Sequence, residues 1–367
     1  MRDKLTEFFA SRWGIVAAGG LIGLLAALLQ KLGNPPNMGI CVACFERDIA
    51  GALGLHRAGV VQYLRPEIPA FVLGSLLAAL SFGEFRPRAG SAPIVRFMLG
   101  LFAMVGALVF LGCPWRALLR LAGGDLNAVV GLAGLAAGIA AGVWFLKNGY
   151  TLGRSYKARP MVGWIMPLLM VTLLLLALFK PAFIFASEKG PGSLHAAIGI
   201  SLLVGLLIGF IAQRTRFCTM GALRDVIMLR DSHLLIGVLA LVVVAFGVNL
   251  ALGQTKFGLT AMPVAHSNHV WNFLGMTLAG LAFALAGGCP GRQLFLAGEG
   301  DGDSAVFVLG MIVGAAVAHN FALAGAPDTM VEGVLTVGGP GLNGQIAVIV
   351  GLVFCVVLGF ALREKMD

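Results

Sequence analysis

Ala286-Gly287-Gly288-Cys289-Pro290-Gly291-Arg292 closes the longest stretch of the chain without Asp, Glu, Lys or Arg, and 176 positions earlier Leu111-Gly112-Cys113-Pro114-Trp115-Arg116 has the same design. At that offset Pro87, Ala89, Ser91, Phe97, Ala103, Gly112, Cys113, Pro114 and Arg116 meet Pro263, Ala265, Ser267, Phe273, Ala279, Gly288, Cys289, Pro290 and Arg292. Asp125, Gly134 and Gly138 meet Asp301, Gly310 and Gly314 in the same register. One further step, an offset of 177, brings Cys41, Arg47 and Asp48 onto Cys218, Arg224 and Asp225. Segments rich in Ala, Gly and Leu resemble one another by composition, but composition does not set Cys, Pro, Arg and Asp at a common spacing. The chain reads as a duplication.

The surroundings of these motifs are lipid-like. Of 367 residues 59% are hydrophobic and 12% charged, and the mean hydropathy is +0.93, too apolar for the surface of a soluble enzyme. A net charge of +9 raises the question of nucleic acid, but the basic residues are scattered between apolar runs and form no patch with interleaved aromatics. They read as loop charges that set topology, and no nucleic-acid partner is expected.

Charge-free runs give ten candidate spans: Trp13–Gln30, Ile68–Gly83, Phe97–Trp115, Leu126–Leu146, Pro160–Phe179, Gly190–Gln213, Ser232–Thr255, Phe257–Gly291, Ser304–Pro327 and Gly333–Leu362. Ile68–Gly83 is short for a span and Phe257–Gly291 too long for one. Trp13, Trp144, Trp164 and Trp271 fall near span ends, where amphipathic rings favour the headgroup layer. Met1–Arg12 runs directly into the first span, as in an uncleaved segment. Alternate connections hold 17 Lys and Arg on the side of the termini against 9 on the other, which predicts that both termini are cytoplasmic.

The expected architecture is an all-α polytopic membrane protein. It divides into an N-terminal segment over 1–12, one repeat over 13–186, a second over 187–362 and a tail over 363–367. Five spans per copy is an odd number, so the copies enter the membrane from opposite sides. Inverted repeats are a recurrent transporter architecture in which the substrate path lies between the copies.

Four interruptions carry the chemistry: Cys41…Arg47-Asp48, Gly112–Arg116, Cys218…Arg224-Asp225 and Gly288–Arg292. Each is too brief to cross a bilayer and too apolar for an ordinary loop, which suits a re-entrant half-helix. Pro114 and Pro290 belong at the first position of a helix, where a missing N–H costs nothing, so Cys113 and Cys289 fall at the N-cap. A thiol there lies in the positive field of free N–H groups, a setting that attracts anions. Gly112 and Gly288 permit close backbone approach at these tips. Arginines and aspartates at this depth are costly unless paired, so Arg47 with Asp48 and Arg224 with Asp225 are read as structural pairs. Arg116 and Arg292 are accessory cations, and Cys44, with Gly221 in its place in the second copy, widens the first mouth. Cys355 sits mid-span with apolar neighbours and reads as a small buried hydrophobe.

Cys41-x-x-Cys44 has the spacing of a redox or zinc pair. None of His56, His195, His233, His266, His269 and His319 stands in a ligand pattern with the cysteines, so neither metal nor cofactor is expected. A thiol-disulfide or sulfur-transfer enzyme using the same cysteines covalently is the alternative to a transporter. No P-loop fingerprint is present, and no acidic proton relay stands out in the spans.

The motifs Arg-x-Arg-Phe-Cys-Thr-x-Gly-Ala-x-Arg-Asp at Arg214–Asp225, Gly-Gly-Cys-Pro-Gly-Arg at Gly287–Arg292 and Leu-Gly-Cys-Pro-Trp-Arg at Leu111–Arg116 resemble those of the YeeE/YedE family of bacterial inner-membrane sulfur-compound transporters, most closely the YedE branch proposed to move selenium compounds. The resemblance implies uptake of a thiosulfate-like or selenium anion along a path of thiols, Cys113, Cys218 and Cys289 with Cys41 as the fourth. It also implies anion transfer between thiols by weak S–H hydrogen bonds, and cooperation with a cytoplasmic sulfur-carrier protein of the TusA type. The chain departs from the family pattern at Cys44, and at Trp115 where the second copy has Gly291.

Overall fold

A computed structural model describes residues 2–364; of the tail expected over 363–367, residues 365–367 lie outside the described residues. The N-terminal segment holds α1 (Arg2–Ala10), and the stretch read as the first copy holds α2 (Arg12–Lys31), α3 (Val42–Ala52), α4 (Glu67–Phe82), α5 (Pro93–Val109), α6 (Pro114–Ala122), α7 (Asn127–Lys147) and α8 (Pro160–Phe179). The second comprises α9 (Ile198–Arg214), α10 (Thr219–Leu229), α11 (His233–Ala251), α12 (His269–Ala286), α13 (Pro290–Gly298), α14 (Gly302–Asn320) and α15 (Leu342–Ala361). Two antiparallel strand pairs, β1 (Arg88–Ala89) with β2 (Tyr156–Lys157) and β3 (Thr329–Val331) with β4 (Val334–Thr336), trim the loops.

Among the described residues nine segments are long and apolar enough to cross a membrane, three of them being a long helix joined to the half-helix after it, and Glu67–Phe82 is a shorter apolar tenth. The protein is thus a multi-pass α-helical membrane protein. Its rim is apolar where lipid lies: Ile346, Ile349, Val350, Val353 and Val357 of α15 and Met161, Ile165 and Leu168 of α8 are exposed.

Several charge-free runs are longer than the helices inside them. Phe257–Gly291 holds a helix only over His269–Ala286. The preceding loop is fixed by His266 Nε2 on the Val109 carbonyl at 2.8 Å, a long-range contact that hydropathy does not register. Gly333–Leu362 likewise begins with β4, and its helix starts at Leu342. The span read as Phe97–Trp115 is α5, whose start at Pro93 precedes Arg96; that guanidinium bonds to the carbonyls of Ser91 and Ala286.

The two copies interlock. α2 packs on α11 as α4 packs on α9, α7 on α12 as α5 on α14, and α5 crosses α12 at the centre. The matched glycines explain how closely: a Cβ on Gly134 would collide with the carbonyl of Phe273, and a Cβ on Gly310 with that of Phe97. Phe97 and Phe273 are themselves a matched pair, so one contact is built twice. Small residues that let helix backbones touch supply the dispersion contact that holds helices together in lipid.

α1 and the end of the described chain share one end of the bundle. Arg363 pairs with Tyr150, Lys147 reaches the carbonyl of Ile227 in α10, and Arg224 of α10 shares a cavity with Thr6 and Phe9 of α1. At the opposite end Asp125 pairs with Gly258.

Candidate functional site

Each of the four motif cysteines is the N-cap of a half-helix: Cys41 of α3, Cys113 of α6, Cys218 of α10 and Cys289 of α13. The two classes are built differently. Cys41 Sγ accepts from the Cys44 N–H at 3.3 Å, and Cys218 Sγ accepts from the Gly221 N–H at 3.2 Å. Cys113 and Cys289 are each followed by a proline at the first helical position, and neither makes a side-chain cap bond among the described residues.

The thiols meet in pairs, one pair per copy. Cys41 Sγ lies 3.9 Å from Cys113 Sγ, and Cys289 neighbours Cys218 and Thr219. Cys44 adds a third sulfur to the first pair, 2.7 Å from Cys41 Sγ. Cys355 is also buried, on α15, and takes no part in either pair.

Trp115, two residues beyond Cys113, packs against the second copy. Its ring lies 5.4 Å from that of Phe217 and 6.2 Å from that of Phe295, both of the second copy. A Cβ on Gly291 would be 2.7 Å from Trp115 Nε1, so the indole occupies the space that a side chain at its own counterpart would fill. The ring is fully buried and its N–H has no protein partner among the described residues.

A cavity of about 640 Å³ opens at the α1 end and reaches Cys218. Arg214, Arg216, Arg224 and Arg292 line it together with Glu84, Asp225 and Asp231. Arg214 bonds Glu84 at 2.9 Å, Arg224 bonds Asp225 at 2.8 Å and Arg292 bonds Glu299 at 3.4 Å. Burial alone would raise the Glu84 carboxyl, but bonds from Gln213 and Arg214 and the nearby Arg214 and Arg216 charges outweigh it and hold the group below its ordinary range.

The first-copy charges are sealed. Arg47 Nη2 is 2.7 Å and Arg65 Nε 2.8 Å from the Asp48 carboxylate, all three groups buried. Arg65 also donates to the carbonyls of Leu194 and Pro191, which ties α3 to the segment leading into α9. Arg116 bonds the carbonyls of Leu111, Pro263 and Val264, the first of them shared with the Cys44 thiol, and clamps one copy's tip to the other's loop. Glu46, one turn into α3, is fully buried and neither carboxyl oxygen has a protein hydrogen-bond partner among the described residues.

Sequence reading did not single out Glu46 or give Trp115 a place. Both stand where the copies differ, Glu46 against Leu223 and Trp115 against Gly291, and that difference was the signal available.

Comparison with known proteins agrees with the position of the second-copy motifs. Residues 214–366 match the family model described as Sulphur transport. Thiosulfate transporter TsuA of Spirochaeta thermophila is 37% identical over 103 residues, covering 28% of this chain and 31% of that protein. Thiosulfate transporter TsuA of Escherichia coli is 35% identical over 100 residues, 27% of this chain and 28% of that protein. The matched stretch thus spans less than a third of either relative's length.

Proposed function

We propose, from the premise that the chain belongs to the YeeE/YedE sulfur-transport family, that it carries a small sulfur- or selenium-containing anion across the bacterial inner membrane along its cysteine thiols. The observation that carries this reading is the arrangement of four half-helix tips. A pair of neighbouring thiols stands in each half of the chain, Trp115 of the first half packs on Phe217 beside Cys218, and a vestibule with four arginines reaches Cys218.

Each part has a physical task. The arginines of the vestibule, at the end that the charge asymmetry makes cytoplasmic, hold an anion near Cys218. Helix N-termini supply N–H groups and a positive field without a net charge of their own. Thiols are weak donors and soft neighbours, so they replace water around a sulfur or selenium atom without trapping it; passage needs binding loose enough for release. Trp115 separates the pairs, so the anion crosses from Cys41 and Cys113 to Cys218 and Cys289 only when the indole moves off Gly291. The vestibule is also where a TusA-type carrier protein would receive the anion.

Uptake by purified protein in liposomes, with thiosulfate, selenite and sulfate compared, tests the reading. Transport of thiosulfate or a selenium anion above sulfate, lost in Cys113→Ser and Cys289→Ser without any persulfide or mixed disulfide by mass spectrometry, is expected. A trapped covalent sulfur intermediate would establish the enzyme alternative instead.

A further inference from the structure

The structure points to a proton site beside the first thiol pair. Glu46 lies on α3 one turn beyond its Cys41 N-cap, fully buried, with neither oxygen bonded to protein among the described residues. The charged groups on the elements around it are engaged elsewhere. On its own helix Arg47 belongs to Asp48, which Arg65 also holds. On α4, Glu67 accepts from Asn34 and Ser201. On α5, Arg96 bonds Ser91 and the Ala286 carbonyl. On α13, Arg292 faces Glu299; on α14, Asp303 accepts from Gly90 and Ser91, and His319 lies against the His56 ring. On α6, Arg120 is paired to Asp125 and Arg116 to carbonyls. The titratable group within electrostatic reach of the carboxyl is the thiol of Cys113.

No cation among the described residues therefore neutralises Glu46, and a bare carboxylate in a dry interior is far costlier than a carboxylic acid. Packing does not demand the carboxyl either, because the matching position in the second copy is Leu223. A titratable group kept inside a membrane protein next to an anion site, where a leucine would serve the fold, is placed to sense charge. We infer that Glu46 binds one proton together with each anion held at Cys41 and Cys113, so that transport is proton–anion symport. This rests on the transport reading above. With Glu46 protonated, an arriving anion meets no second negative charge on that carboxyl. When the anion leaves toward the vestibule, the carboxyl oxygen releases its proton to water on the same side. The resulting carboxylate repels the next anion until a proton from the opposite side restores the acid.

Proteoliposomes loaded at neutral pH and diluted into acidic buffer, with the membrane potential clamped, read this directly. Labelled thiosulfate is expected to accumulate several-fold above its equilibrium level in the wild type, with the lumen acidifying in step. In Glu46→Gln and in Glu46→Leu, whatever uptake remains is expected to ignore the gradient and move no protons. Wild-type uptake indifferent to the gradient overturns the proton site while leaving the transporter standing, as does a Glu46→Gln protein that still concentrates thiosulfate. If no thiosulfate moves under any condition, or the variants are inactive, infrared spectroscopy of the intact protein decides. A protonated-carboxyl C=O band that is absent in Glu46→Gln and shifts on adding thiosulfate supports the site, and lack of such a band overturns it.

Discussion

The two thiol pairs are built from the same two motifs and sit in different surroundings. The second-copy pair touches a water-accessible basic vestibule through Cys218, whereas the first-copy pair is closed in with a third sulfur, a carboxyl and an indole. The chemistry that repeats is the half-helix tip with its thiol, and the chemistry that differs is what surrounds it. The shared part is what any copy needs to bind an anion, and the unshared part, Cys44, Glu46 and Trp115 against Gly221, Leu223 and Gly291, is what makes one face differ from the other.

The sharpest way to break the comparison is through the charge pairs. Arg47→Ala leaves Asp48 short of one partner in a sealed site, and loss of one member of a buried pair costs about 3–5 kcal/mol. Arg224→Ala acts on a pair open to the vestibule, where about 0–1 kcal/mol is at stake. Thermal unfolding of the detergent-solubilised variants should separate them by many degrees, and equal shifts would erase the distinction drawn between the two sites.

Next come the thiols. A hydrogen bond to a charged group is worth about 1.5–3 kcal/mol, so replacing Cys113 or Cys289 by alanine should lower thiosulfate uptake by roughly tenfold to a hundredfold. Both pairs should suffer alike. A loss confined to one copy would show that the anion meets only that pair.

A smaller effect is expected where the copies meet. Gly291→Ala pushes a methyl group against the indole of Trp115, an overpacking that costs about 1–3 kcal/mol, and Trp115→Phe should return most of it in the double variant. Additive losses in a double-mutant cycle would mean that the two residues do not touch. Accessibility gives a further contrast without a stability change: a membrane-impermeant maleimide should modify Cys218 through the vestibule well before Cys41, Cys44 or Cys113. The smallest effect is at Glu84. Its carboxyl is held below the ordinary range, so its contribution to stability is present above the unfolded value and fades as pH falls through the lower folded one. Glu84→Gln should flatten that acid limb of the melting curve.

Much of this was legible in the linear chain, and for identifiable reasons. Pro114 and Pro290 announce a helix start, and a helix start fixes what the preceding cysteine caps. Gly134 and Gly310 kept their register because each faces a carbonyl of the other copy. Hydropathy found the spans but overran Leu342, because a short apolar β-pairing and a membrane helix look alike to it. What stayed hidden depends on neighbours far away in sequence. Nothing near Trp115 announces that its ring will lie on Gly291, and nothing near Glu46 says that no cation will reach it. A carboxylate beside Arg47 and Asp48 reads as one more motif charge until the partners of each are known.

The contact of Trp115 with Gly291 has a consequence for symmetry. Residues related by a two-fold axis and touching at that axis cannot both be bulky, and a homodimer of identical halves has no means of making one bulky and the other not. In an assembly of two equal halves both positions would have to be small, so the indole at 115 depends on the two halves differing in sequence.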